Sequence, residues 1–289
     1  LLLLAIPLVF NSCKKEEPID SDVPPTGTEE PEVPETHDCS TVVVSNLSTH
    51  VIIEQTGTWC TSCGGEKDEI MEGVNHSPQV HHMAVHGGSD PFANDRTMDF
   101  RTAVIRSSFF PTVMGTINPT WIDNVLDAEP QAQIGLEVTK DGSVLKIEAK
   151  VEILSAFNAQ VENGCAVFID GQQVNATDEK RLNIGLYLVE DGLDYPQAAY
   201  GAFTHNNVMR DYITANAEGD AITSLGEAVT VGQTFCEYYE YDLDAHSFHE
   251  ELSNCKILAL IVIGNKCVLA DTEWFLHFAG SDVVEIGSL

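Results

Sequence analysis

The stretch of sequence that decides the fold is Val51-Ile52-Ile53-Glu54-Gln55-Thr56-Gly57-Thr58-Trp59-Cys60-Thr61-Ser62-Cys63. Its first residues form a β-branched run that predicts a short strand, and the residues around Gly57 predict a turn. The turn carries a Cys-x-x-Cys pair directly after the strand. A cysteine pair in this position is typical of redox motifs.

The residues that follow alternate between helical and extended patterns. We predict helices over 66–74, 97–107 and 121–128, and strands over 80–86 and 110–114. Strands and helices that alternate over about eighty residues indicate a small α/β layer fold.

This order of elements resembles the thioredoxin family. Trp59-Cys60-Thr61-Ser62-Cys63 matches the family's redox motif, and Phe110-Pro111-Thr112 stands where such proteins place a cis-proline opposite that motif. The resemblance covers residues 39–130 and implies a thioredoxin-like domain. Thr61-Ser62 departs from the Gly-Pro of thioredoxins, so the direction of electron flow stays open.

The catalytic candidates are Cys60, Cys63, Glu54 and Pro111. Cys60 is expected to attack, because N–H groups at a helix N-terminus stabilise a thiolate, and Cys63 is expected to resolve the mixed disulfide. Glu54 lies where the family has a buried acid that relays a proton to or from Cys63; the alternative is a surface carboxylate at the strand end.

The resemblance also predicts a binding surface for a client peptide. A cis bond at Pro111 leaves the backbone of Phe110 free to pair with an extended chain, although a plain strand-edge proline is the alternative. Trp59 and Thr112 are the other substrate-binding candidates.

Three histidines, His81, His82 and His86, suggest a metal site, but their spacing argues against it. On a strand, His82 and His86 share one face while His81 points away, and the sequence has no second Cys-x-x-Cys. Gly64 stands where a c-type haem motif needs histidine. We therefore expect no metal and no cofactor, and we keep His86 as a residue that supports the cysteines from behind.

Beyond residue 130 the pattern changes to short strands. Residues 145–153 alternate between apolar and charged side chains, which predicts a strand with one wet face. Turn signals divide the remainder at Asp141-Gly142, Asp170-Gly171, Asp191-Gly192 and Gly264-Asn265. We predict an antiparallel, immunoglobulin-like β-sandwich over 131–289, and the whole chain is then α/β plus all-β.

This second half carries another resemblance. Gly185-Leu186-Tyr187-Leu188-Val189-Glu190-Asp191, Gln197 and Thr204-His205-Asn206-Asn207-Val208-Met209-Arg210 are similar to the outer-membrane-protein-28 family of Bacteroidota lipoproteins. That family implies a thioredoxin-like domain joined to a β-domain on a lipid anchor. For His205, Asn206 and Arg210 we favour a structural hydrogen-bond network inside the β-domain over a ligand site.

The N-terminus predicts export and lipidation. Residues 1–12 resemble a lipoprotein signal peptide, after which Cys13 would be lipidated; a secretory signal or a buried segment are the alternatives. Residues 13–38 are acidic and Pro-rich, which predicts a disordered tether. The expected location is the outer membrane with exposure at the cell surface, or otherwise facing the periplasm.

Composition limits the possible partners. With 14 Lys plus Arg against 45 Asp plus Glu, the formal net charge is -31, so nucleic acid is excluded as a partner. The 8 cysteines favour an oxidising compartment. The five cysteines beyond Cys13, Cys60 and Cys63 allow two internal disulfides of unknown pairing, with one cysteine left buried or linking chains; free buried thiols are the alternative. They are Cys39, Cys165, Cys236, Cys255 and Cys267.

Together these patterns predict a lipid-anchored, extracytoplasmic thiol–disulfide oxidoreductase whose partners are thiols or disulfides of exported proteins. The alternative is a surface binding or adhesion lipoprotein in which Cys60 and Cys63 form a structural disulfide. The sequence leaves open the physiological substrate, the electron donor, the membrane leaflet and the oligomeric state.

Overall fold

The first four elements of the fold follow the order that the sequence predicts. They are strand β1 (His50–Thr56), helix α1 (Cys63–His76), strand β2 (Val80–His86) and helix α2 (Asp95–Arg106). β1 and β2 are parallel, as a connection through a helix requires. Helix α2 is capped by Asn94, whose Oδ1 accepts a 2.9 Å hydrogen bond from the backbone N–H of Thr97.

The computed structural model describes residues 38–44, 50–106, 131–170, 172–246, 249, 251–269 and 273–286. Several predictions lie outside these residues: the signal peptide, the tether up to residue 37 with Cys13, the segment Phe110-Pro111-Thr112, and the helix over 121–128.

The second half is built of strands with short connections. Their bounds are β3 Ala132–Asp141, β4 Val144–Ile153, β5 Gln160–Ile169, β6 Gln172–Glu190, β7 Leu193–Asp194, β8 Thr204–His205, β9 Val208–Tyr212, β10 Asp220–Ala221, β11 Thr234–Asp242, β12 Cys255–Cys267 and β13 Glu273–Glu285. The predicted turn at Asp141-Gly142 joins β3 to β4, with Gly142 at a φ of 64°. The strand pairs within the described part of this half are antiparallel.

Two sheets enclose the main core. The larger sheet has the order β1-β2-β9-β6-β12-β13, with β5 and β10 also paired to β6, and the smaller sheet has the order β11-β4-β3. The predicted alternation in β4 is confirmed, because Leu145, Ile147, Ala149, Val151 and Ile153 are all buried. These side chains pack against one face of β6 and β12.

Strand β6 over 182–190 and strand β12 over 257–264 are buried on both faces, which explains their long apolar runs. Leu186 and Leu188 face the core beneath β4, whereas Tyr187 faces a second cluster that includes Phe100 of α2. The predicted turn at Gly264-Asn265 is wrong: β12 continues to Cys267 and stays paired with β6 and β13. A register shift after Ile263 takes up the glycine as a bulge.

The two sides of the predicted boundary at residue 130 meet in one sheet. β2 and β9 run parallel at Ala84 and Val208, and the N–H of Ala84 donates to the carbonyl of Asn207 at 2.7 Å. Among the described residues, no helix is long and apolar enough to cross a bilayer. The fold is therefore β-rich, with two helices described in its first half.

Three of the five cysteines beyond Cys13, Cys60 and Cys63 are disulfide-bonded in the described part of the chain. Cys39 is bonded to Cys236, with a Cα–Cα distance of 5.8 Å, and Cys165 is disulfide-bonded as well. Cys255 is a free thiol and fully buried. This matches one of the two alternatives for the odd cysteine, which was expected either to be buried or to link two chains.

Candidate active site

The cysteine pair lies at the connection between β1 and α1. Cys60 and Cys63 form a disulfide with a Cα–Cα distance of 5.5 Å, and both residues are half-buried. The N–H of Cys63 donates to Sγ of Cys60 at 3.2 Å. Ser62 caps α1 without a side-chain hydrogen bond, so this N–H serves the sulfur. Such a contact stabilises a thiolate at Cys60.

A small cavity of ≈ 20 Å³ lies beside Cys63. Its volume suits about one water molecule. Both halves of the chain contribute to its lining: Glu54, Thr56, Cys63, His82, Ala84, His86, Gln197, Phe203, His205 and Asn206. The resolving cysteine therefore lines the same small cavity as Glu54, the predicted buried acid.

Glu54 is largely buried in this cavity, with its side chain 12% exposed. Burial alone would raise the pKa of its carboxyl, but a hydrogen bond from His82, helped by one from Thr56, outweighs burial and lowers the pKa. His82 Nε2 lies 3.1 Å from Glu54 Oε2. The geometry gives an ionised carboxylate at neutral pH next to Cys63.

His86 and Asp90 form a second buried pair behind the turn. Nδ1 of His86 lies 3.1 Å from Oδ1 of Asp90, and the side chains are 1% and 0% exposed. Asp90 also accepts hydrogen bonds from the N–H groups of Thr58 and Phe92. Burial opposes the charge, but these donors lower the pKa of Asp90 to about 2. Asp90 thus fixes the turn that carries the cysteines.

In Asp90→Asn, the free energy of unfolding is expected to fall less steeply in acid than in the wild-type chain. The carboxyl has a pKa of about 2 in the folded chain and near 3.8 when unfolded. Its stabilisation is therefore present above about pH 4 and is lost as the pH falls towards 2, a change of no more than about 2 kcal/mol. Urea unfolding between pH 2 and 5 measures the slope of the free energy of unfolding. The exposed Asp244 provides the control, since Asp244→Asn should keep the wild-type slope; an unchanged slope for Asp90→Asn would contradict the assignment.

A loop from the second half braces the cysteine turn. The side-chain amide of Gln197 donates to the carbonyls of Cys60 at 2.6 Å and Gly57 at 3.1 Å. The N–H of Ala198 donates to the carbonyl of Thr58 at 2.7 Å. The Tyr200 ring packs so closely on α1 that a Cβ at Gly64 would lie 2.5 Å from its Cδ2. A larger residue at position 64 would have to displace the Tyr200 ring.

The sequence predicts that His205, Asn206 and Arg210 belong to a hydrogen-bond network inside the β-domain, and the structure describes all three. Arg210 makes a contact of that kind, with Nε 3.3 Å from Oε2 of Glu190. His205 and Asn206 also make such contacts: Nε2 of His205 lies 3.2 Å from the carbonyl oxygen of Tyr195, and Oδ1 of Asn206 accepts from the N–H of Gly192 at 3.0 Å. Both residues line the cavity beside Cys63 as well. His205 packs its ring 5.2 Å from that of His86.

The predicted client surface is described only at Trp59. Its side chain is 52% exposed, and its Nε1 donates to the carbonyl of Gly87 at 2.9 Å. Phe110, Pro111 and Thr112 lie outside the described residues. Within the described part of the chain, no cluster of three or more His, Cys, Asp or Glu side chains is arranged to hold a metal ion.

Sequence reasoning missed Gln197 as a neighbour of Cys60 and Asn207 as a neighbour of His82. Asn207 Nδ2 lies 3.3 Å from Nδ1 of His82. The signal was the dense group of amide and histidine side chains around residues 197–207. Their contact with Cys60 or His82 spans more than a hundred residues, which a local pattern does not encode.

Fold and site together define a β-rich chain with a cysteine pair at a helix N-terminus, braced by its second half. Residues 114–270 match the model of the family described as outer membrane protein Omp28. Since this is more than half of the 289 residues, the chain belongs to that family. No curated protein and no solved structure matches the chain. The family description associates the chain with the outer membrane, as the sequence predicted.

Proposed function

We propose that the chain is a thiol–disulfide oxidoreductase of exported proteins. The observation that carries the proposal is the half-buried Cys60–Cys63 pair at the start of α1, beside a cavity shared by Cys63 and Glu54. A structural disulfide needs neither an accessible attacking sulfur nor a buried carboxylate next to its partner.

The arrangement of elements supports a thioredoxin-like first half. β1, α1, β2 and α2 follow each other in that order, the strands are parallel, and the cysteine pair stands between β1 and α1. The strands of the second half form the smaller sheet and most of the larger one, which supports a sandwich-type β-domain. In this proposal that domain also holds the redox turn in place through Gln197.

The chemistry follows from the two sulfurs and the acid. In the reduced protein, the Cys60 thiolate attacks a client disulfide, forming a mixed disulfide and releasing one client thiolate. Cys63 then passes its proton to Glu54 and attacks Sγ of Cys60, which releases the second client thiolate. The client gains two electrons, and the Cys60–Cys63 disulfide forms. The reverse sequence oxidises a client dithiol.

The cellular setting that fits this chemistry is outside the cytoplasm. A lipid anchor at Cys13 and the acidic tether would hold the folded part away from the membrane surface. We propose an outer membrane lipoprotein exposed at the cell surface, or otherwise facing the periplasm. Its partners are then thiols or disulfides of exported proteins.

Equilibration with glutathione redox buffers tests this function. We expect the Cys60–Cys63 pair to exchange rapidly and to have a potential more oxidising than about -300 mV, the range of labile disulfides. Differential alkylation followed by mass spectrometry measures the reduced fraction, and the Cys39–Cys236 bond serves as an internal reference. A lower potential with an unreactive Cys60 would contradict the proposal and favour the structural disulfide of a surface binding protein.

A further inference from the structure

Asn207 is held firmly against the redox site from the second half of the chain. It precedes β9, has a φ of 57° and is buried. Its backbone N–H donates to Oδ1 of Asp191 at 2.6 Å, and its carbonyl accepts from the N–H of Ala84 at 2.7 Å. These two bonds fix the backbone, so the side chain has a defined place beside His82.

The placement of the Asn207 amide indicates which nitrogen of His82 carries the proton. The amide nitrogen of Asn207 faces Nδ1 of His82 at 3.3 Å, and an amide N–H can only donate. Nδ1 must therefore accept, which places the proton on Nε2. From Nε2 the imidazole donates to Oε2 of Glu54 at 3.1 Å. The three side chains form one directed chain of hydrogen bonds that ends on the acid.

Resting on the proposed function, we propose that Asn207 is a positioning residue that fixes the tautomer of His82 and so keeps Glu54 ready to accept the proton of Cys63. The second half of the chain then contributes to the resolving step as well as to the shape of the turn. The chemistry at the sulfurs stays with Cys60 and Cys63.

The groups around Glu54 are consistent with this role. Thr56 on β1 and His82 on β2 bond its carboxylate, and the charge of His86 on β2 also favours the ionised form. His205 on β8 and Cys63 on α1 complete the titratable groups of the cavity lining among the described residues. Glu54 is the one carboxylate among these lining residues, and we assign it the role of accepting the Cys63 proton.

Asn207→Asp removes the amide donor with which the chain of hydrogen bonds begins. Aspartate tolerates a positive φ as asparagine does, so the backbone can be kept. Its carboxylate only accepts, and Nδ1 of His82 must then carry a proton. The new carboxylate beside Nδ1 favours an imidazole that is protonated on both nitrogens, and this cation makes Glu54 a weaker base. A weaker base slows proton transfer from Cys63.

Reaction of the reduced full chain with 5,5′-dithiobis(2-nitrobenzoate) separates the two steps. Attack by Cys60 releases a first thionitrobenzoate, and resolution by Cys63 releases a second. For Asn207→Asp we expect an unchanged first phase and a second phase slowed about tenfold at pH 7, with a shifted pH profile. Asn163→Asp is the matched control, because Asn163 has a φ of 55° and is exposed on β5.

A comparison in the His82→Gln variant distinguishes a positioning role of Asn207 from a purely structural role. In His82→Gln, the glutamine amide can donate to Glu54, and glutamine has no tautomer that Asn207 could fix. Adding Asn207→Asp to His82→Gln should therefore slow the second phase no further. Equal slowing in both backgrounds, or an unchanged second phase in the single variant, would overturn the role of Asn207. A wild-type chain that gives no first phase beyond that of Cys60→Ser would overturn the proposed function instead.

Discussion

Cys60→Ser is expected to reduce the insulin disulfides no faster than the dithiol reductant alone. Serine has no thiolate to attack a disulfide, and the N–H of Cys63 that faces the Cys60 sulfur at 3.2 Å then has no reactive partner. The turbidity of precipitating insulin chains measures the rate. The fold should be kept, because the bond that is lost closes a loop of sequence separation 3.

Cys63→Ser is the matched variant for this experiment. It keeps the attacking sulfur but lacks the resolving one, so it should accumulate a mixed disulfide between Cys60 and insulin that mass spectrometry detects. Circular dichroism of both variants checks the fold. If Cys60→Ser keeps the wild-type rate, the role of the cysteine pair in exchange is wrong.

Asp211→Ala is expected to lower the free energy of unfolding by about 3–5 kcal/mol, the usual cost of breaking a buried ion pair by removing one partner. Asp211 is fully buried on β9. Its carboxylate accepts from Nε of Arg96 on α2 at 2.6 Å and from the hydroxyl of Tyr241 on β11 at 2.8 Å. Alanine leaves Nε of Arg96 and the hydroxyl of Tyr241 without this acceptor, and it removes one of the links between α2 and β9.

Urea unfolding at neutral pH measures this loss. Asp244→Ala is the control, because Asp244 is exposed and its replacement should change the free energy of unfolding by no more than about 0.5 kcal/mol. A loss below about 1 kcal/mol for Asp211→Ala would show that the buried pair contributes little to holding α2.

The parts of the fold that sequence predicts are those with a local cause. The β-branched run before Cys60 and the apolar run from Val80 give β1 and β2 directly, because side-chain pattern and strand length agree. The Cys-x-x-Cys pair and Glu54 follow from spacing along one strand and turn. The error at Gly264-Asn265 arises because pairing with strands on both sides outweighs a local turn preference.

The rest of the site depends on contacts that no local pattern encodes. Gln197 reaches Cys60 across 137 residues, and Asn207 reaches His82 across 125. Both contacts require β9 to lie beside β2, a pairing that the described structure makes at a single residue pair. A boundary drawn from composition at residue 130 separates these partners, whereas the sheet brings them together.

The bond between Cys39 and Cys236 determines where mechanical load enters the molecule. It ties a residue that precedes β1 to β11 in the smaller sheet, at a sequence separation of 197. Tension on the chain ahead of Cys39 is therefore carried covalently into that sheet and does not have to pass along β1. The redox turn between β1 and α1 is spared from stretching when the N-terminal segment is pulled.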